Sequence, residues 1–265
     1  MHCHDALVHR TPETAPERFC VLGEPSLKAF TSDSGEGPFR QPAGLKASFC
    51  LAPLLLAALL GSAACSRAQN SGPARDRWNR PDEVMDALGI RAGSVVADVG
   101  CGKGYFALKF AARVGPAGKV YAEDIRDDVL DDVRSEAASQ HLSGIKTVQG
   151  TDNDPRLPAG SLDVVFTMDS YHEWVDYDAM LDRLYAALKP GGLFGLIDGE
   201  TAPGKSRDDY HSMHRMPEQM ERDDLTRHGF RFLRSEPGFI RPGDGKTYYF
   251  MIFQKPAAGT NGPTQ

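Results

Sequence analysis

The sequence predicts an α/β fold, in which a doubly wound, mostly parallel sheet carries helices on both faces and ends in an antiparallel hairpin. Three observations lead to this prediction. Short apolar runs alternate with segments of helical periodicity along residues 78–255, as expected of strand–helix–strand units. Glycines at alternate positions join the first such run to a helix. The last two strand-like runs are separated by a Pro/Gly-rich turn and no helix.

The composition is that of a globular protein. The chain has 265 residues, of which 41% are hydrophobic and 25% are charged, so it can form one good-sized domain with additional segments. Its formal net charge is -6 and it contains no run of Lys or Arg, which argues against a nucleic-acid partner. Five cysteines without C-x-x-C spacing indicate neither a zinc site nor a disulfide framework.

Residues 1–44 differ from the rest of the chain. They are rich in Pro, Gly, Ser, Thr and Glu and show no periodicity. We therefore expect either a disordered leader or a translation start that has been placed too early. Because no Met lies between Met1 and Met85, a later start would use a non-AUG codon near Leu45.

Residues 45–65 combine Lys46 with an uncharged apolar stretch and small residues before Cys65. This pattern predicts a secretory signal segment, with an uncleaved membrane anchor or a buried helix as alternatives. The small residues before Cys65 resemble a bacterial lipoprotein processing box. That resemblance implies a lipid on Cys65, a polar linker over residues 66–77, and a membrane-associated or periplasmic domain. A cytoplasmic location is the alternative.

The predicted elements of the domain follow in order. Pro81 at a first helical position and Gly89 after a last turn predict a helix over residues 81–88. The apolar run Val95–Val99 predicts a strand buried on both faces, and Tyr105–Val114 predicts the next helix. The other predictions are strands at 119–125, 145–149, 161–168, 193–197, 229–236 and 247–254, helices at 126–141, 175–188 and 217–228, a polar loop at 198–215, and a disordered tail at 256–265.

The turn after the first strand predicts a ligand site. Gly100, Gly102 and Gly104 let the chain turn sharply and let a ligand lie against bare backbone. Asp98 precedes them, and its carboxylate would repel a pyrophosphate at the N-terminus of the next helix. An acid at this position instead suits a ligand that presents an ammonium group, an amine or a hydroxyl.

Taken together, these motifs resemble the class I S-adenosylmethionine (SAM) methyltransferases. The matching features are D-x-G-x-G-x-G at 98–104, an acid after the second strand, a polar turn after the third strand, S-x-D at 161–163, K-P-G-G at 189–192 and the terminal hairpin. The resemblance covers about residues 78–255. It implies a Rossmann-like, seven-stranded sheet, SAM as the cofactor, and methyl transfer to a small-molecule acceptor.

The resemblance also implies how the cofactor is held. Asp124, at the end of the second strand, would accept hydrogen bonds from the ribose hydroxyls, and Ile125 would face the adenine ring. Asp152 or Asn153, after the third strand, would bind the adenine amino group. The methionine part would be held by the residues around the glycine turn, namely Asp98, Gly100, Cys101, Gly102 and Gly104.

The segment Asp169–Trp174 follows the fourth strand, where the ligand crevice of an open α/β sheet lies. Asp169 is predicted to contact the cofactor. His172 and Tyr171 are the candidate catalytic residues, because a general base needs a group of suitable pKa within hydrogen-bond reach; alternatively, His172 caps a helix or packs on the cofactor. No metal ligand is predicted, since H-x-x-H alone is a weak signal. The predicted substrate contacts are Trp174, His211 and His214.

Two other classes of function remain open at this point. One is a SAM-binding or nucleoside-binding protein without catalysis. The other is a nicotinamide-dependent oxidoreductase, against which Asp98 and the terminal hairpin argue.

Overall fold

The computed structural model describes residues 72–243 and 245–257. The predictions for residues 1–44, for the signal or lipoprotein segment 45–65, for 66–71 and for most of the tail therefore lie outside the described residues. Within the described part, no helix combines the length and the apolar character needed to cross a membrane.

One sheet organises the described domain. Its strands are β1 (Val95–Val99), β2 (Lys119–Asp124), β3 (Ile145–Gln149), β4 (Leu162–Met168), β5 (Leu188–Gly199), β6 (Arg231–Ile240) and β7 (Tyr248–Gln254). They are arranged in the order β3-β2-β1-β4-β5-β7-β6. The pairs from β3 to β5 are parallel, whereas β7 pairs antiparallel with both β5 and β6. The predicted α/β, doubly wound, seven-stranded sheet with an antiparallel hairpin is thus confirmed.

Helices cover both faces of this sheet. They are α1 (Pro73–Asn79), α2 (Pro81–Ala87), α3 (Tyr105–Val114), α4 (Asp127–Ser139), α5 (Tyr177–Ala187), α6 (Arg207–Met213) and α7 (Glu218–Arg227). Buried side chains of α2, α3 and α4 join one apolar cluster, and those of α5, α6 and α7 join another. Because successive side chains of a strand point to opposite faces, β1 contributes Val96 to the first cluster and Ala97 to the second.

Most predicted boundaries agree with the structure to within a few residues, but β5 is longer than predicted. Helix α5 ends at Ala187, and the K-P-G-G residues 189–192 that follow lie within β5. Leu162 pairs with Leu188, and the register then shifts so that Val164 pairs with Leu193. The extra residues are accommodated in an irregular part of the β4–β5 ladder, as in a β-bulge.

Two short helices replace segments that were predicted to be irregular. The linker predicted over residues 66–77 overlaps α1, which has Pro73 in its first turn. The predicted polar loop 198–215 contains α6, which starts with a capping box between Ser206 and Asp209 and buries Tyr210 completely. Both helices have seven residues, too few for a clear periodic pattern in the sequence.

The crossover from β3 to β4 contains no helix. Residues 150–161 form a turn closed by a bridge between Thr151 and Asp154, followed by an irregular stretch. Tyr121 on β2 is consequently only half-buried, and β3, at the edge of the sheet, has no fully buried residue.

Candidate functional site

The glycine turn joins β1 to α3 and brings the ends of β1 and β4 together. Gly100, Gly102 and Gly104 all have positive φ angles, of 68°, 51° and 79°, which glycine adopts without strain. A Cβ on Gly100 would lie 2.1 Å from Ser170 Oγ, so this position has no room for a side chain. A Cβ on Gly102 would meet no atom within 4 Å. Open space above Gly102 is what a ligand lying against the backbone requires.

Asp98 lies beneath this turn. Its residue surface is only 3% exposed, and its carboxylate accepts a hydrogen bond from the backbone of Ala107 in the first turn of α3. Burial, with a contribution from the nearby Asp124, raises the pKa of Asp98 to about 8. The structure therefore gives Asp98 a supporting role at the start of α3; direct contact with a cofactor stays a prediction.

The acidic end of β2 holds the glycine turn in place. Asp124 Oδ2 accepts a hydrogen bond from Gly102 N (2.9 Å), and Oδ1 accepts one from Arg126 N (3.0 Å). Cys101 N donates to the carbonyl oxygen of Glu123 (2.8 Å), and the Cys101 thiol is buried. A carboxylate has about four lone-pair sites, so Asp124 retains acceptor capacity for a pair of ribose hydroxyls.

Glu123 is a site residue that the sequence interpretation missed. Its carboxylate accepts a hydrogen bond from Gly100 N (3.3 Å), whereas Oε1 is buried and finds no partner among the described residues. Burial raises the pKa of Glu123 to about 8. Nothing in the strand pattern distinguished Glu123 from a solvated acid, because only the packing of β2 beside the turn buries it.

The predicted adenine contacts lie at the ends of β2 and β3. Ile125 is 52% exposed, an unusual state for a large aliphatic side chain directly after a buried strand. Gln149 Nε2 donates to the carbonyl oxygen of Ile125 (3.2 Å), which ties the two strand ends together. Asp152 and Asn153 are exposed in the turn after β3. These positions are compatible with an adenine pocket, and the assignment of each residue stays a prediction.

The segment after β4 lies against the glycine turn. Asp169 has a positive φ of 55° and is exposed, whereas Ser170 is buried beside Gly100. Trp174 Nε1 donates to Ser170 Oγ (3.3 Å). Through Ser170, the predicted substrate contact Trp174 is therefore placed next to the turn that is predicted to bind the cofactor.

Tyr171 does not fit the catalytic role that was predicted for it. Its side chain is 1% exposed and belongs to the apolar cluster under α5–α7. Its hydroxyl donates to Asp224 Oδ2 (2.9 Å) on α7, and burial, together with the Asp224 charge, raises the pKa of Tyr171 far above its ordinary value. In the tight turn Tyr171–Glu173, neighbouring side chains diverge, so Tyr171 faces the core.

The Tyr171→Phe variant is therefore expected to keep its turnover number within about threefold and to lose about 1 kcal/mol of stability, the usual contribution of one hydrogen bond. Initial methylation rates and urea unfolding measure the two effects. A large fall in turnover with intact cofactor binding would return Tyr171 to the list of catalytic residues.

His172 forms a buried pair with Asp198, at the ends of the neighbouring strands β4 and β5. Its Nδ1 lies 2.9 Å from both carboxylate oxygens of Asp198, and its backbone N–H also donates to that carboxylate (3.4 Å). With Nδ1–H donated to Asp198, the neutral imidazole carries its lone pair on Nε2. Burial alone would lower the pKa of His172, but the hydrogen bond and the charge of Asp198 outweigh it and raise the pKa.

Glu221 of α7 lies behind Asp198. It is fully buried, and both of its carboxylate oxygens lack a geometrically good hydrogen bond among the described residues. Burial, followed by the charge of Asp198, raises the pKa of Glu221 well above its ordinary value. Burial behind Asp198 therefore favours the neutral form of the Glu221 carboxyl group.

The two predicted loop histidines cover the other side of His172. His211 Nδ1 donates to the carbonyl oxygen of His172 (2.9 Å), and the His214 ring centroid lies 5.5 Å from that of His172. The His172 side chain is only 1% exposed, whereas 69% of the His214 side chain and 55% of the Glu173 side chain are exposed. Glu173 Oε1 lies 4.0 Å from Nε2 of His172, so Glu173 and His214 would have to move aside before an acceptor could reach this nitrogen.

Two groups of three side chains bring potential metal-ligating atoms within 4.8 Å of one another in the described part of the chain: His172, Glu173 and His214, and Asp169, His172 and Asp198. His172 belongs to both groups, and its Nδ1 is already bonded to Asp198. A cation in the second group would have to replace that hydrogen bond. The absence of a metal ligand stays a prediction.

Part of the chain is similar to known protein families. Residues 96–192 match the family model described as a methyltransferase domain. The match begins in β1 and ends within β5, so it includes the glycine turn, the acids of β2 and the segment that carries His172. Over these residues the chain is similar to methyltransferase domains, in agreement with the predicted resemblance.

Individual relatives show the same similarity over about half of the chain. The chain is 35% identical over 125 residues to nocamycin O-methyltransferase of Saccharothrix syringae, covering 47% of this chain and 44% of the relative. It is 28% identical over 122 residues to demethylmenaquinone methyltransferase of Listeria monocytogenes, which covers 46% of this chain and 51% of the relative. The chain thus spans about half the length of these curated relatives. A SAM-dependent methyltransferase from Aquifex aeolicus has the same fold, with a TM-score of 0.60 and 22% sequence identity. The alignment covers 71% of this chain and 95% of the Aquifex chain.

Proposed function

We propose that the protein is a SAM-dependent methyltransferase that transfers a methyl group to a small-molecule acceptor bearing an ionisable hydroxyl or similar group. The observation that carries this proposal is the buried His172–Asp198 pair, with Nδ1 of the imidazole 2.9 Å from the carboxylate. It lies on the segment that also packs Ser170 against the glycine turn. A cofactor site and a candidate base are therefore neighbours.

The residues around the glycine turn suit SAM. Open space lies over Gly102, and Asp124 has acceptor capacity beyond its two backbone hydrogen bonds. Ile125 exposes an apolar side chain at the adjoining position. In the proposed arrangement, Asp124 holds the ribose, Ile125 contacts the adenine ring, and the turn Gly100–Gly104 holds the methionine part.

The cofactor supplies an electrophilic methyl group on a sulfonium ion. The protein holds the acceptor in position and provides a base. Neutral His172 takes the proton of the acceptor on Nε2, while Asp198 fixes the tautomer and stabilises the imidazolium that results. Holding the acceptor atom in line with the methyl group supplies much of the remaining acceleration.

An acceptor with apolar parts fits the surroundings of this pair. Val175, which follows Trp174, is 77% exposed, and Met213, which precedes His214, is 37% exposed. Exposed aliphatic side chains next to candidate binding residues favour contact with an apolar ligand. The named activities of the relatives, on nocamycin and on demethylmenaquinone, support a small organic acceptor.

Calorimetric titration with SAM, S-adenosylhomocysteine and NAD tests the cofactor, and a panel of phenols, hydroxyquinones and hydroxy acids tests the acceptor. We expect binding of the first two ligands and formation of S-adenosylhomocysteine with at least one acceptor. Binding of NAD alone would overturn the proposal. Tight SAM binding without turnover on any acceptor would favour the non-catalytic alternative.

We further propose that residues 45–65 direct the domain out of the cytoplasm and that Cys65 carries a lipid, which would make the protein membrane-associated or periplasmic. The apolar stretch and the small residues before Cys65 support this proposal. Fractionation of the native protein, with and without a block of lipoprotein processing, is the test. Recovery in the cytoplasmic fraction under both conditions would contradict it.

A further inference from the structure

A cavity lies beside β2, β3 and the helix-free crossover that joins β3 to β4. Its volume is about 300 Å³, at the lower end of the range for small-molecule sites. None of its lining residues is a predicted contact of the cofactor or of the acceptor. They are Tyr121, Lys146, Thr147, Val148, Arg156, Leu157 and Pro158. The cavity is therefore a candidate site separate from the glycine turn and from His172.

Two lysines lie beside the aromatic ring of this cavity. Tyr121 and Lys146 are directly opposite each other in the β2–β3 ladder, so their side chains lie on the same face of the sheet. Lys119, two residues before Tyr121 on β2, lies on that face as well. The Nζ atoms of Lys119 and Lys146 lie 5.8 Å and 5.9 Å from the centroid of the Tyr121 ring. The ring is half-buried and both lysines are exposed, so a ligand can reach all three side chains.

Arg156 adds a third cation from the crossover. Its φ angle is 51°, a left-handed conformation that is uncommon for a residue with a side chain and that often marks a functional site. Its backbone N–H donates to Asp154 Oδ1 (2.7 Å), and Nη1 donates to the carbonyl oxygen of Gln149 (3.2 Å). These bonds hold the guanidinium group at the end of β3. Because a guanidinium group has five N–H donors, Arg156 can bind a ligand while it keeps the contact with Gln149.

Positive charge is concentrated at this cavity. In the part of the chain that the structure describes, Lys119, Lys146 and Arg156 form no ion pair with a carboxylate. The chain as a whole carries a formal net charge of -6, so the cavity differs in sign from the protein around it. Leu157 and Pro158 add apolar surface to its lining. Cations beside an aromatic ring and apolar side chains favour a ligand that combines a carboxylate with a planar ring.

We propose that the cavity binds a small aromatic carboxylate, whose ring lies against Tyr121 and whose carboxylate is bound by Arg156 and Lys146. A guanidinium group holds a carboxylate through two parallel hydrogen bonds, and a neighbouring ammonium group adds a point charge. Binding at this position requires neither SAM nor the proposed base, so the inference goes beyond the proposed function and is tested independently of it.

Calorimetric titration of the full chain with 2-naphthoate tests this site. Naphthalene-2-carboxamide, a neutral molecule of nearly the same shape, is the matched control ligand. We expect saturable binding of 2-naphthoate and an affinity at least about 10-fold lower for the amide, since only the carboxylate forms charge-assisted hydrogen bonds with the cations. Arg156→Gln should lower the 2-naphthoate affinity by about 10-fold. Lys146→Gln should lower it by about threefold, as for an exposed ion pair.

Arg134→Gln is the matched control variant. Arg134 Nε donates to Thr147 Oγ1 (2.8 Å) and thus contacts β3 from α4, which covers the opposite face of the sheet. This variant should bind 2-naphthoate like the wild type. No saturable binding, or equal affinities for the acid and the amide, would overturn the inference.

Two further outcomes would assign the cavity or the ligand differently. Weaker binding in Trp174→Ala, with unchanged binding in Arg156→Gln, would place 2-naphthoate at the predicted acceptor site and overturn the inference. Analytical ultracentrifugation tests whether another molecule of the protein occupies the cavity. Self-association of the wild type that Arg156→Gln abolishes would make a second copy of the chain the occupant, which would also overturn it.

Discussion

Replacement of His172 by Ala is expected to lower kcat by about two to four orders of magnitude, the usual contribution of a general base, while SAM still binds. The reason is that Asp198 holds Nδ1 of the imidazole, which leaves Nε2, 4.0 Å from Glu173 Oε1, as the nitrogen that can accept a proton. Initial rates at saturating SAM and calorimetric titration measure the two quantities. Tyr171→Phe, at the neighbouring position, is the control and should retain the rate.

The pH dependence distinguishes a base from a packing residue. Catalysis needs neutral His172, so kcat should rise with pH through the raised pKa of His172. Asp198→Asn removes the anion that raises this pKa, so the rising limb should move to lower pH, with a lower plateau because the amide can fix the wrong tautomer. If the rising limb of the Asp198→Asn profile stays at the wild-type pH, Asp198 does not tune His172 as a base. Loss of activity with a chelator would indicate a metal at His172 instead.

Replacement of Asp124 by Ala should weaken SAM binding by about 100-fold or more, because hydrogen bonds to a charged group are among the strong ones. The carboxylate is expected to bind the ribose, and it also holds the N–H groups of Gly102 and Arg126. Loss of these two contacts should loosen the turn that is proposed to hold the methionine part. Calorimetric titration with SAM and S-adenosylhomocysteine measures the effect.

Asp127→Ala is the matched control for this variant. Asp127 lies three residues after Asp124, and its ion pair with Arg134 is exposed. Removal of this ion pair should therefore change the SAM affinity little. If Asp124→Ala binds SAM as tightly as the control does, Asp124 is not a cofactor residue.

Much of the fold could be predicted because the parallel strands are buried on both faces. The bounds of β1, α3 and β3 agree with the prediction residue for residue, since apolar runs and turn glycines are local signals. Helices α1 and α6 escaped prediction because tertiary contacts stabilise them. Asp76 bonds Tyr105, and the buried Tyr210 hydroxyl donates to the carbonyl oxygen of Ala202.

The candidate site was predictable to a smaller extent. His172 was a candidate from its position after β4, but its partner Asp198 is 26 positions away along the chain. Only the pairing of β4 with β5 brings the two together. The burial of Glu123 and Tyr171 could not be predicted for a related reason. The sequence indicates that both side chains are polar, whereas their burial depends on how β2 and the turn after β4 pack in the folded domain.

The crossover between β3 and β4, which contains no helix, affects the local stability of the sheet edge. An edge strand without a fully buried residue opens more readily than its neighbours, so the amides of β3 should exchange with solvent faster than those of β1 and β4. The turn that follows carries the predicted adenine contacts. The nucleoside end of the cofactor would thus rest on an edge strand that opens more readily than β1 and β4, and its binding should slow amide exchange there more than at the glycine turn.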